Sequence, residues 1–169
     1  MTSAWTTVAA FFTAAVASLS AVTAPPAPTP VATSGFEWPL QPQPQVLRGF
    51  EAPPRPWAAG HRGVDLRGSP GQAVLAAGAG TVSFSGVIAG RGVVAIRHAN
   101  GWRTTYEPVT DRDPAGTVER RGARIGTLEH GTHCGNMSCL HWGLLVGPDD
   151  YRDPLSLVES RRVRLLPLG

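Results

Sequence analysis

The stretch Ser138–Gly147, SCLHWGLLVG, has the two-residue alternation of a β-strand with one buried face. Three large apolar side chains fall on one face, which predicts that this face packs in a core: Leu140, Trp142 and Leu144. Cys139 and His141 share the opposite face, and Gly143 beside His141 leaves space there. The stretch therefore predicts a core strand that presents a sulfur and an imidazole together on its other side.

The segment upstream of this strand, Arg91–Val109, indicates a β-hairpin. Val93–Arg97 has the composition of one strand, and Trp102–Tyr106 has that of the return strand. Asn100 and Gly101 between them form the dipeptide that tight hairpin turns favour. The core strand therefore has antiparallel neighbours close by in sequence.

Three further segments extend this pattern. Ala73–Ile88 alternates small and apolar residues, and Thr117–Glu129 has two short strand patterns around a central glycine turn. Arg152–Val158 begins with Asp153 as a helix cap and Pro154 at the first helical position. No 3.6-residue periodicity continues for long elsewhere, so we expect a mostly antiparallel β fold with a short C-terminal helix.

Composition excludes several classes of protein. The chain has 169 residues, with Gly 20, Pro 16 and 16% charged residues, which fits one β-rich domain with appendages. The net charge is +3, and no basic run is interleaved with aromatics, so we expect no nucleic-acid partner. Residues 74–86 have the rhythm of a lipoyl or biotin carrier, but such carriers need a lysine and the chain contains none. No pair of carboxylates suggests a glycosidase.

The N-terminal region is expected to lie outside the fold. Residues 4–24 are apolar or small and carry no charge, as in a secretory signal, with small residues suited to cleavage near Ala21–Ala24. No Lys or Arg precedes them, and an uncleaved membrane anchor is the alternative. We therefore expect an extracytoplasmic protein, either secreted or held at the membrane by this segment.

The domain boundaries follow from these patterns. We assign residues 1–24 to a signal peptide or anchor and residues 25–45 to a proline-rich linker. The β domain is expected over residues 36–160, beginning near Phe36, and residues 161–169 form a basic tail.

The two cysteines are expected to form a disulfide. Cys134 and Cys139 lie five residues apart, and export would place them in an oxidising compartment. Closing so short a loop stabilises a fold by about 2 kcal/mol at most, so its role would be to fix local geometry. A free, reactive thiol pair is the alternative.

A second motif carries metal-binding chemistry. In HRGVD, His61–Asp65, the four-residue spacing puts the imidazole and the carboxylate on the same face of a strand or of a helix. These two groups together suit a borderline metal such as zinc. Alone the motif is weak, because a surface histidine near a salt-bridging aspartate is common.

Four segments in this order resemble the lysostaphin-type zinc endopeptidases, which cut the peptide part of bacterial peptidoglycan. They are GHRGVDLRGSPGQAVLAAGAGTVSFSG (60–86), GVVAIRHANGWRTTYEPV (92–109), VERRGARIGTLE (118–129) and CLHWGLLVG with YRDPLSL (139–157). The resemblance covers about residues 36–158. It implies the antiparallel β core of this family, a duplicated hybrid motif, and a monomer that acts on the cell wall.

The resemblance also implies a zinc site. By the family's motifs the ligands would be His61, Asp65 and His141, with a fourth position open for water. Such a metal lowers the pKa of its water, so that hydroxide can attack an amide carbonyl near neutral pH.

The chain departs from the family at both acid–base positions. The first histidine of the family's His-x-His strand is Cys139 here, and the histidine of its Tyr-x-His-Leu segment is Pro108. A positioned general base contributes roughly 10²- to 10⁴-fold to the rate, so the loss matters. Three side chains are candidate substitutes, His133, His130 and Glu107, although strand alternation predicts that Glu107 turns to the face opposite position 108.

Two functions therefore stay open. One is a zinc endopeptidase with altered acid–base groups, and the other is a degenerate wall-binding or regulatory module that keeps the zinc ligands. Peptidoglycan is the expected partner of both, and another cell-wall hydrolase is a further partner of the second.

Overall fold

The computed structural model describes residues 35–55, 57–130 and 134–159, and the regular structure in these ranges is almost entirely β-strand. The strands are β1 Val46–Arg48, β2 Gly63–Arg67, β3 Ala73–Leu75, β4 Gly80–Ile88, β5 Arg91–Arg97, β6 Arg103–Glu107, β7 Val109–Thr110, β8 Val118–Glu119, β9 Arg124–Leu128, β10 Cys139–Leu145 and β11 Tyr151–Arg152. The expected mostly β fold is confirmed.

The strands form two antiparallel sheets. The larger sheet has the order β1-β2-β10-β6-β5-β4-β8, with β11 also paired to β10, and the smaller has the order β3-β9-β7. Strand β10 lies between β2 and β6, so it joins the His61–Asp65 region to the Arg91–Glu107 hairpin.

The two faces of β10 differ as the alternation predicts. One face enters the hydrophobic core, where its large side chains are 0–1% exposed and meet apolar residues from both sheets: Leu140, Trp142 and Leu144. The other face carries Cys139, His141 and Gly143. One strand thus contributes to the core and presents the candidate polar pair.

The predicted turns are present, with one unexpected pairing. Strands β5 and β6 form the expected hairpin, with Gly101 at a φ of 84° in its turn. The turn at Gly122 instead links strands of different sheets, because β8 pairs with β4 while β9 pairs with β3 and β7.

The predicted C-terminal helix is a single 3₁₀ turn, Pro154–Leu157. The Asp153 carboxylate caps it by accepting a 3.0 Å hydrogen bond from the Leu155 N–H, and Pro154 stands at its first position.

Part of the proline-rich run packs on the β domain. Leu40 is fully buried in the core, and Phe36 forms an isolated β-bridge with Gly78. The signal or anchor, the first part of the linker (25–34) and the basic tail fall on residues 1–34 and 160–169, outside the described residues, so that division of the chain stays a prediction. Among the residues that the structure describes, no helix is long and apolar enough to cross a membrane.

The expected disulfide is present. It joins Cys134 to Cys139, with a Cα–Cα distance of 6.2 Å, and so holds the preceding loop to the first residue of β10. The two sulfurs lie within 4.8 Å of an oxygen of the Asp65 carboxylate.

His98, directly after β5, belongs to a buried polar network. Its Nδ1–H donates to the Ala79 carbonyl at 2.9 Å, which leaves Nε2 to accept a 2.8 Å hydrogen bond from the Thr104 hydroxyl. Tyr106 continues the network, since its hydroxyl lies 2.8 Å from that of Thr104 and accepts from the Ala77 N–H at 3.0 Å. Burial lowers the pKa of His98 because the protonated imidazole loses its hydration.

We expect this histidine to make stability depend on pH. The unfolded chain protonates His98 near the ordinary value of 6.5, whereas the folded protein does so only at lower pH. The contribution of His98 to stability is therefore fully present above pH 6.5 and falls as the pH drops below it. His98→Gln should lose about 1–3 kcal/mol at pH 7, because its buried partners lose a hydrogen bond, and less at pH 5.

Urea unfolding of both proteins at the two pH values measures this difference. The exposed His130→Gln is the matched control for replacing an imidazole, and it should keep the stability of wild type at pH 7. An equal loss for His98→Gln at pH 7 and pH 5 would contradict the expectation.

Candidate metal centre

The three ligand candidates meet at the junction of β2 and β10. Asp65 lies in β2 and is the register partner of His141 in β10. His61 precedes β2 and is held by a β-bridge to Glu51. Because directly paired residues face the same side of a sheet, the register brings together groups 76 residues apart in sequence.

The ligand atoms form a compact triangle. Asp65 Oδ1 lies 2.9 Å from His141 Nδ1 and 3.1 Å from His61 Nε2, and the two ring nitrogens are 3.1 Å apart. Ligand atoms around a tetrahedral zinc, about 2.0–2.1 Å from the ion, lie roughly 3.3 Å apart. The spacing therefore fits one small cation.

Hydrogen bonding also favours a cation. The Gly49 carbonyl lies 2.6 Å from His61 Nδ1, and since a carbonyl only accepts, Nδ1 carries the proton. Neutral His61 then has a lone pair on Nε2, which points at the Asp65 carboxylate and at His141 Nδ1. A carbonyl that orients a histidine in this way is the usual support of a metal ligand.

Of the three ligand candidates, His141 is the most exposed. The side chains of His61 and Asp65 are 7% and 5% exposed, whereas that of His141 is 17% exposed. His141 also lines a groove of about 260 Å³ on the open face of the large sheet. A substrate could therefore approach from the side of His141.

Gly63 makes room for the His141 ring. A Cβ at position 63 would lie 2.6 Å from His141 Nε2 and would also collide with the Trp142 carbonyl. We expect Gly63→Ala to displace the ring and to weaken zinc binding by about 10- to 100-fold, as other losses of ligand orientation do.

Zinc titration of the chelator-stripped protein measures this effect. Gly143→Ala is the matched control, because its Cβ would collide with the Thr105 hydroxyl and not with a ligand ring. If both variants lost the same affinity, general strain and not ring displacement would be the cause.

The family's two acid–base positions hold side chains that cannot transfer a proton. Cys139 is 1% exposed and bonded to Cys134, so it has no thiol to transfer a proton. Pro108 is buried and follows the last residue of β6. His133, one predicted substitute, lies outside the described residues, and His130, another, is exposed.

The expected orientation of Glu107 is wrong. It was predicted to point away from the site, but Glu107 is the register partner of His141 and lines the same groove. The reason is that the face of β6 that carries Glu107 is the groove face, which also carries Arg103 and Thr105, whereas Pro108 is buried. Its carboxylate is 23% exposed and lies 3.6 Å from the guanidinium of Arg91.

The other residues that line the groove were not among the sequence-based candidates. Arg62 follows His61, its guanidinium lies 5.6 Å from the centre of the Tyr151 ring, and it donates to the Ala58 carbonyl at 3.2 Å. Arg103 and Thr105 belong to the floor strand β6. Only the position of Arg62 inside HRGVD could have indicated a role.

The fold and the site together define a lysostaphin-type β domain with a candidate metal centre. The family model of Peptidase family M23 matches residues 59–154, and the chain belongs to this family. The predicted family resemblance is confirmed.

One sequence relative and two solved structures show the extent of the similarity. The uncharacterized protein Rv2891 of Mycobacterium tuberculosis is 47% identical over 147 residues, which cover 85% of this chain and 59% of that protein. The chain thus spans less than two thirds of that relative. The catalytic domain of the antimicrobial peptidase lysostaphin from Staphylococcus simulans superposes with a TM-score of 0.57 at 19% identity, covering 67% of this chain and 90% of that one. A zinc-containing peptidase from Vibrio cholerae gives a TM-score of 0.56 at 21% identity, covering 66% and 36%.

Proposed function

We propose that the chain is a zinc-dependent endopeptidase that hydrolyses peptide bonds of bacterial peptidoglycan outside the cytoplasm. The observation that carries the proposal is the convergence of His61 Nε2, Asp65 Oδ1 and His141 Nδ1 within 4.8 Å of one another, beside an open groove. Membership of Peptidase family M23 supports hydrolysis of peptides. The Vibrio cholerae peptidase of similar fold contains zinc, which supports this metal.

His61, Asp65 and His141 would hold the zinc ion. Two imidazoles and one carboxylate are three ligands that zinc accepts, and a catalytic zinc site keeps a fourth position open. When bound, zinc lowers the pKa of a water molecule and polarises a carbonyl group.

Glu107 is the proposed proton acceptor. Its position directly across from His141 places the carboxylate on the groove side of β6. Its carboxylate would take a proton from the attacking water as the oxygen joins the amide carbon, and the proton would leave on the amine when the C–N bond breaks. Arg91, 3.6 Å away, would hold the carboxylate in place.

A second candidate function is a wall-binding or regulatory module that keeps zinc and does not hydrolyse. The observation that favours it is the disulfide at Cys139, which occupies the family's acid–base position. Such a module would act on the wall by binding, either alone or together with another hydrolase.

We also propose that the protein acts as a monomer in the cell envelope. The Cys134–Cys139 disulfide supports an oxidising compartment. Residues 1–24 would direct export, as a cleaved signal or as an anchor.

Peptidoglycan digestion by the 169-residue chain separates the two functions. Isolated peptidoglycan is incubated with the protein plus zinc, with a chelator, and with His61→Ala. Release of new amino termini that stops on chelation and in His61→Ala, but not in the surface control Asp150→Ala, supports the peptidase. Stoichiometric zinc binding without release would support the non-catalytic module.

A further inference from the structure

The groove beside the metal centre continues along the sheet. It starts at His141 and Glu107 and follows β6 and β10 over Thr105 to Arg103 and Leu145. The strand distance from Glu107 to Arg103 is four residues, or roughly 14 Å. A second hollow of about 330 Å³ begins there, because Arg103 and Leu145 line both.

Arg103 lies at the junction of the two hollows. Among the residues that the structure describes, none accepts a hydrogen bond from its guanidinium, and its Nε is shielded from solvent. Because the side chain is half-buried and lines both hollows, its terminal nitrogens are the atoms left to meet a ligand. These terminal N–H groups are therefore free to donate to an anion that enters the hollows.

The charges around Arg103 favour the binding of an anion there. Arg97 on β5 is its register partner, so two arginines stand opposite each other, and both line the second hollow. Like charges in this position repel. Arg62, at the other side of the groove, already contacts Tyr151 and Ala58. The positive charge at the far end of the groove is therefore uncompensated by the residues that line it.

We propose that Arg103 binds a carboxylate of the substrate peptide, about four residues from the bond that is cut. The inference rests on the proposed function for the identity of the ligand as a wall peptide. An extended peptide rises roughly 3.3 Å per residue, so four residues span the distance from Glu107 to Arg103. The planar guanidinium fork matches a carboxylate, and Arg103 thereby selects peptides with a free acid over their amides.

Binding of a matched pair of peptides tests this selection. Wall peptides are used with free carboxylates and after conversion of the carboxylates to amides. Titration calorimetry with the full chain in chelator measures affinity without cleavage. We expect wild type to bind the acid form about 10- to 100-fold more tightly, the range of a hydrogen bond to a charged group.

Three variants isolate the role of Arg103. Arg103→Gln should lose the preference and keep wild-type affinity for the amide, and Arg103→Lys should retain part of the preference. Arg124→Gln, in the other sheet, makes the same change of net charge and should behave as wild type. The thermal unfolding midpoint of Arg103→Gln should not fall, because the lost N–H has no acceptor.

Each other outcome overturns the proposal. One is that wild type shows no preference for the acid form, or no binding at all. Another is that Arg103→Gln loses the same affinity for the acid and for the amide. A third is that Arg124→Gln reduces the preference as much as Arg103→Gln does. Zinc-dependent cleavage is measured separately with the same peptides. Selective binding without cleavage would support the role of Arg103 and refute the proposed peptidase activity. Cleavage without selective binding would support the peptidase activity and refute the role of Arg103.

Discussion

Asp65→Asn is expected to abolish stoichiometric zinc binding and, with it, zinc-dependent release of amino termini from peptidoglycan. Asparagine keeps the size of the side chain but removes the negative charge that faces two imidazole nitrogens at 2.9 and 3.1 Å. Losing a group that only orients a ligand costs 10- to 100-fold in affinity, so loss of a ligand should cost more than about 100-fold. Competition with a chromogenic chelator measures the affinity, and amine labelling measures the release.

Asp150→Asn is the matched control. Its carboxylate is 48% exposed and pairs with Arg152 on the surface, so the same substitution there should change neither zinc binding nor release. Wild-type zinc affinity in Asp65→Asn would remove this carboxylate from the proposed ligand set.

Glu107→Gln should separate catalysis from metal binding. Glutamine fills the same space but cannot accept a proton, so kcat should fall by about 10²- to 10⁴-fold. Zinc affinity should stay within a few-fold of wild type, because Glu107 is not among the converging ligand atoms. Steady-state cleavage of wall peptides, with zinc content determined on the same samples, measures both quantities.

Two further variants complete this test. Glu159→Gln changes an exposed glutamate far along the chain and should cleave as wild type does. If Glu107→Gln keeps its kcat while His133→Ala loses it, the proton acceptor is His133 and the role proposed for Glu107 is wrong.

Much of the fold could be predicted because its signals are local. The Asn100-Gly101 turn and the alternation in Cys139–Leu145 depend on residues next to one another in sequence. Asp153 and Pro154 likewise predict the C-terminal turn from local sequence. The helix propensity of these residues could not distinguish a 3₁₀ turn from a short α-helix. The pairing of β8 and β9 with different sheets could not be predicted, because the turn at Gly122 carries no information about distant partners.

The candidate site depends more than the fold does on the pairing of strands that are far apart in sequence. The motifs named His61, Asp65 and His141, but only the register of β2 with β10 brings them together. The orientation of Glu107 was missed for the same reason, since it follows from the pairing of β6 with β10. Arg103 had no signal in the sequence, because an arginine in an alternating strand is ordinary until its neighbours are known.

The two-sided character of β10 limits how this protein can evolve. Replacing one side chain of β10 damages either the core or the site, because the two sets of residues occupy opposite faces. Inserting or deleting one residue would exchange the faces, so that Trp142 pointed to the groove and His141 to the core. Descendants of this sequence can therefore accumulate substitutions on either face, while changes of length should be confined to the turns that connect the strands.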